Sequence, residues 1–251
     1  MTDYRLLIKA YFDEPNHVVD WQRHGLVRLP DHIRPTHFGL DELPTRSEAN
    51  AIENREQFDA FLNAHECGCF YGEGFSIDTS IFDNIPSEIN VWSTIADARA
   101  SEYGQPLFES WSEYGIVYGF GAAIAEQRAR NGYEARLASG GTSEGWFGRD
   151  IRRYVPGLYW LNYFSEKYLD EHPLDVRAIA ATLQGHVSPI GKGFLLKLYE
   201  QPDEWQAKAD DVQRIVDQTA GVFSRTDVEV PQGLPVIEHL AWSERIFKQW
   251  P

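Results

Sequence analysis

The sequence predicts an α+β fold, a mixed and largely antiparallel sheet with packed helices. It reads as one domain over residues 1–251, with 100–106 as the place where it would divide. Three observations carry this. Short apolar runs of strand length recur at Tyr4–Phe12, Leu158–Phe164 and Gly193–Tyr199. Between them lie longer stretches of helical period, Ser47–His65 and Asp203–Thr219. Hydrophobic residues make up 43% of 251 residues, with 8 Trp, 12 Tyr and 14 Phe, enough for a sizeable aromatic core.

Taken in order, Tyr4–Phe12 alternates Leu6, Ile8, Ala10 and Phe12 against Leu7, Lys9 and Tyr11, and Asp13–Asn16 ends it with turn chemistry. His17–His24 fits a short helix or an edge strand. Pro30, Pro35, Gly39 and Pro44 mark a surface crossing with one short strand near Thr36–Leu40. Ser47 is the expected N-cap of a helix reaching His65, with Ala51, Arg55, Phe58 and Leu62 in one stripe. Cys69–Ile77 reads as a strand containing Gly72 and Gly74, and Ile89–Ile95 as another. Pro106–Arg130 has helical character, but its glycine-rich middle also suits a strand or loop, so only Ile124–Arg130 is assigned as helix.

Ala138–Gly148 reads as a flexible insert. Leu158–Phe164 is apolar on both faces apart from Asn162, which predicts a central strand, followed by a helix over Ser165–Glu171 with Ser165 as N-cap. Asp175–Leu183 is apolar without a clear period. Helices are expected over Asp203–Thr219 and Ile237–Trp250. The two halves share a loose rhythm, at an identity too low to establish a duplication.

Charge narrows the function. With 38 acidic and 23 basic side chains the net charge is −15, which opposes direct binding to nucleic acid or an anionic membrane and favours a basic partner. The same charge also serves solubility. Two cysteines, no signal-like segment and no apolar stretch of spanning length predict a cytoplasmic protein.

Motifs for chemistry are sparse. His65, Cys67 and Cys69 lack the second ligand pair of a structural zinc site, and neither cysteine sits in a nucleophile signature, so a buried thiol pair is expected. Gly140-Gly141-Thr142-Ser143 lacks the spacing and lysine of a phosphate loop. Glu109 and Glu113, with Glu102 nearby, would share one helix face, where a solvated surface is the ordinary reading and paired acid–base carboxylates the other. Arg149, Arg152 and Arg153 suit pairing with local acids such as Asp150 and Glu144. No catalytic residue, metal ligand or cofactor is assigned. An enzyme with a Cys/His or carboxylate site stays open as the alternative.

Two segments carry a family likeness. Val155–Ser165 reads V-P-G-L-Y-W-L-N-Y-F-S, and Gly191–Pro202 reads G-K-G-F-L-L-K-L-Y-E-Q-P. Together they resemble bacterial immunity proteins that accompany polymorphic and type VI secreted toxins. The resemblance implies a protein that binds and blocks a cognate toxin, with Trp160, Asn162, Gly193 and Pro202 determining the fold. A cytosolic nuclease is one toxin class that fits, because its phosphate-gripping surface is basic. Glu109, Glu113, Glu144 and Asp150 are the candidate contacts, taken from the acidic helix face and the insert with its edge.

Overall fold

The computed structural model describes residues 4–40, 46–82, 86–94, 99–131, 134–140, 142–144, 151, 155, 157–219 and 231–248. In chain order its elements begin β1 (Leu6–Phe12), α1 (Pro15–Asp20), β2 (His37–Gly39), α2 (Arg55–Ala64), β3 (Cys69–Gly72), β4 (Phe75–Ser80), β5 (Ser87–Ser93), α3 (Ala100–Ser112), β6 (Tyr118–Ala123) and α4 (Ile124–Asn131). They continue with β7 (Glu134–Arg136), β8 (Thr142–Glu144), β9 (Leu161–Ser165), α5 (Glu166–Glu171), α6 (Val176–Leu183), β10 (His186–Ile190), β11 (Gly193–Lys197), α7 (Ala209–Gln218) and α8 (Val236–Lys248).

Nine strands form one sheet in the order β10-β11-β9-β6-β1-β5-β4-β3-β2, and each of its pairings is antiparallel. The α+β expectation therefore holds. β1 sits in the middle, pairing Leu6 with Ser93 of β5 and with Ala123 of β6. Its predicted alternation turns out to be buried on both sides, with Leu6, Ile8, Ala10 and Phe12 on one face and Leu7 and Tyr11 on the other. The halves differ in connectivity: β5 to β2 are ordered as sequence neighbours, whereas the other wing places β11 between β9 and β10. The β7–β8 hairpin stands apart as a two-stranded sheet, and Leu234 bridges in parallel to Leu137 beside it.

One face of the sheet is covered by α1, α2 and α3. Phe58 and Phe61 of α2 pack on Phe38 with ring centroids 5.3 and 4.8 Å away. Tyr103 of α3 meets Phe75 of one wing at 5.9 Å, and Phe108 stacks on Tyr163 of the other at 5.9 Å. α3 thus spans both wings. It runs through Pro106, whose ring nitrogen has no hydrogen to donate. The carbonyl four residues earlier, Glu102 O, lies 3.1 Å from His32 Nε2 instead.

Several boundaries differ from expectation. The Ser47–His65 helix is broken: Ser47 and Asn50 form a capping box on a single 3-10 turn, and α2 starts anew at Arg55 with Asn54 as its cap. Cys69–Ile77 is a hairpin, because Glu73-Gly74 makes a two-residue turn with Gly74 at φ +75°. The glycine-rich middle of Pro106–Arg130 is the interior strand β6. A Cβ on Gly119 would stand 2.7 Å from Lys9 O and 2.6 Å from the Phe108 ring, so glycine there admits the neighbouring strand and α3. His17–His24 is helical, continuing from α1 into a π-turn over Trp21–Gly25. Asp175 caps α6 by accepting from Arg177 N and Ala178 N, and Asp203–Thr219 is a 3-10 segment followed by α7. β10 was not anticipated.

The two resembling segments lie side by side. β9 pairs with β11, Asn162 opposite Leu196, and all five β9 residues are buried. Asn162 closes a local loop, accepting from Tyr159 N at 3.0 Å and donating to Tyr159 O at 2.8 Å. Trp160 Nε1 donates to Tyr199 O at 3.0 Å. Pro202 is buried at the start of the following 3-10 segment. Trp160, Asn162, Gly193 and Pro202 are all buried.

Candidate partner-binding surface

Directly opposed residues in an antiparallel sheet share a face. One such row crosses seven strands: Cys69, Asp78, Asn90, Lys9, Phe120, Asn162 and Leu196. It changes character at β1. Toward β11 it is buried and, apart from Asn162, apolar: Phe120 stacks on Tyr159 at 4.4 Å, and Tyr118 beside it stacks on Tyr168 of α5 at 5.3 Å. Toward β3 it is polar and partly exposed.

The polar half is held by specific bonds. Asp78 accepts from Trp92 Nε1 at 2.6 Å and from Asn90 Nδ2 at 2.8 Å. Lys9 Nζ meets Glu88 Oε2 at 2.8 Å and lies 5.1 Å from the Tyr11 ring centroid. Tyr4 and Ser76 share a hydroxyl bond of 3.0 Å, and the Tyr4 ring stands 6.2 Å from Trp92. Tyr4, Lys9, Cys69, Ser76, Asp78, Ser80, Glu88 and Trp92 all keep part of their surface accessible. Burial pushes the Asp78 carboxyl above its ordinary value, and the donors Asn90 and Trp92, with Lys9 nearby, pull it partway back. The alternation of β4, with Phe75, Ile77 and Thr79 buried and Ser76, Asp78 and Ser80 between them, was the available sequence signal for this face.

The residues singled out from the sequence fall elsewhere. Glu109 and Glu113 stand exposed on the outer side of α3, in a stripe with Glu102 and Gln105 about 16 Å long. Gln105 Nε2 donates to Glu109 at 2.8 Å. Arg28 pairs with Glu113 at 3.1 Å and also donates to Tyr114 OH. Glu144 belongs to β8, and Asp150, Arg149, Arg152 and Arg153 lie outside the described residues, as do Gly141 and Gly145. The structure therefore brings Glu109 and Glu113 together on the outer side of α3.

Cys67 and Cys69 are partly buried and form no disulfide. His65 packs its ring on Phe61 at 5.0 Å. Among the described residues no group of three His, Cys, Asp or Glu side chains is placed to hold a metal ion. No described helix is long and apolar enough to cross a membrane.

One buried charge went unnoticed in the sequence. Glu126, at the start of α4, is 0% exposed. Its Oε1 accepts from Tyr199 OH and from Arg130 Nε at 2.8 Å, and its Oε2 from Trp160 N at 3.4 Å. Burial raises its pKa to about 6 against the opposing pull of Arg130, Tyr199 and Trp160 N–H. Burial also disfavours the Arg130 charge, but Glu126 more than offsets this. The carboxylate ties α4, the approach to β9 and the exit of β11 together. In the sequence, Glu126 and Arg130 look like an ordinary solvated i,i+4 pair.

No protein-family model matches the chain, and no curated protein matches it. Among solved structures it is similar to Pseudomonas aeruginosa T6SS protein PA0821, at 12% identity over 98% of this chain and 84% of that one, with a TM-score of 0.47.

Proposed function

We propose that this chain is an immunity protein of a polymorphic or type VI secreted toxin system, which binds a cognate bacterial toxin and occludes its active site. A nuclease is the toxin class that its charge suits. The observation that carries the reading is where the charge sits. The aromatic side chains Tyr159, Trp160, Tyr163, Phe164 and Tyr168 are core, while acids stand outward, as in the Glu102, Glu109 and Glu113 stripe of α3 on a chain of net charge −15. Such a field accelerates encounter with a basic surface and favours the grip that would otherwise take phosphate. Glu109 and Glu113 are assigned to this attraction. In this reading the chain acts by binding, in the cytoplasm, with no catalytic residue of its own.

The test is co-expression with the protein encoded beside it. The neighbour is expected to arrest growth alone, to be harmless together with this chain, and to co-purify with it. A neighbour that neither binds nor is neutralised refutes the proposal.

A further inference from the structure

We propose that the polar half of the sheet, centred on Trp92 and Asp78, is the docking surface for the basic toxin, and that Asp78 receives an arginine of that partner. This rests on the binding role proposed above and gives it a place.

The patch has the composition of an interface centre. Trp, Tyr and Arg are the side chains that most often carry binding energy, and here Trp92 and Tyr4 stand together, partly accessible, on the sheet. The five strands from β1 to β2 span about 19 Å, and β4 runs about 20 Å along them, room for the centre of an interface of about 800 Å² per partner. The side chains are already fixed. Asp78 is held by Trp92 and Asn90, Tyr4 by Ser76, and Lys9 by Glu88, so little conformational freedom remains to be lost on binding.

Charge selects the occupant. A carboxylate offers about four acceptor positions, and Asp78 uses two, for Trp92 Nε1 and Asn90 Nδ2. It is partly desolvated, so its charge gains strongly from an added cation. Lys9, on the same row, bonds Glu88 at 2.8 Å and draws the Asp78 carboxyl only partway back. A guanidinium that stacks on Trp92 and donates to Asp78 meets both demands, which a lysine ammonium does less well. The α3 stripe lies on the helix-covered side of the sheet, so it speeds the encounter, and the polar half holds the complex.

The experiment uses the full chain and the neighbour-encoded protein, with association and dissociation rates measured for wild type, Trp92→Ala and Ser80→Arg. Ser80 is a partly exposed residue at the rim of the patch, so arginine there adds bulk and positive charge without removing a core contact. Trp92→Ala is expected to weaken binding at least ~30-fold, and Ser80→Arg at least ~10-fold on the same scale, both through faster dissociation. Circular dichroism and melting confirm that each variant folds. If Trp92→Ala does not fold, Ser80→Arg decides alone. Folded variants that bind like wild type overturn this placement while leaving the immunity role intact. A wild type that fails to bind overturns the immunity role itself.

Discussion

Glu126 gives the sharpest test of how this core is held. Its pKa is about 6 in the fold against an ordinary 4.5, so between those values the folded chain binds more protons than the unfolded one. Stability from this group is fully present below pH 4.5 and is lost as the pH rises through 6. The difference corresponds to about 2 kcal/mol. Glu126→Gln keeps the acceptor for Tyr199 and Arg130 but carries no charge. It gives up the long 3.4 Å bond from Trp160 N. At pH 7.5 the variant is therefore expected to be about 1–2 kcal/mol more stable than wild type, with the gap closing by pH 4.5. Glu126→Ala removes the acceptor altogether and leaves Arg130 buried and unpaired, at a cost of about 3–5 kcal/mol at pH 7.5. Urea unfolding followed by tryptophan fluorescence, at intervals between pH 4.5 and 7.5, reads both. A difference between wild type and Glu126→Gln that stays flat with pH, or widens toward acid, would refute the assignment of a desolvated carboxylate.

Four other outcomes follow from the geometry. Replacing Glu109 and Glu113 together by glutamine should change unfolding free energy by less than about 0.5 kcal/mol, while slowing association with the basic partner and flattening its salt dependence. Gly193→Ala should destabilise by more than about 2 kcal/mol, because its Cβ would stand 2.4 Å from Phe164 O, and an unchanged melting curve would contradict this. At the ends of α6, Asp175→Ala should cost about 1 kcal/mol through lost capping. Gln184→Gly should gain about 0.5–1 kcal/mol, because Gln184 holds φ 57° at the C-cap. Denaturant midpoints check both.

The sequence was most readable where local pattern and burial agree. Of the expected strand Leu158–Phe164, Leu161–Phe164 lies inside the sheet as β9 and is apolar apart from Asn162, while Leu158–Trp160 precede the strand and are buried, and Ser165 caps α5 by accepting from Tyr168 N, as its position suggested. It misled where a residue type has two meanings. Pro106 looked like a helix start, yet α3 begins at Ala100 and passes through it, with His32 against the freed carbonyl. The glycines of β6 looked like weak helix, yet Gly119 records how closely Phe108 and β1 approach, and Gly121 how closely Leu161 and Trp160 do. For the surface, the acidic stripe of α3 could be read from spacing alone. The polar half of the sheet could not, since Tyr4, Asp78 and Trp92 meet only through pairings between distant strands.

The central position of β1 also bears on how the chain is made. Leu6 finds its partners at Ser93 and Ala123, so the middle strand of the sheet must wait for both neighbours to be synthesised. At ordinary ribosomal speed that delay is on the order of 5–20 s. Until β5 is made this apolar strand has neither edge satisfied, and until β6 follows one edge stays open. Pairing this non-local is slow to form and leaves the nascent chain open to association. A chaperone that shelters residues 6–12 should therefore raise the soluble yield more than a substitution near the C-terminus.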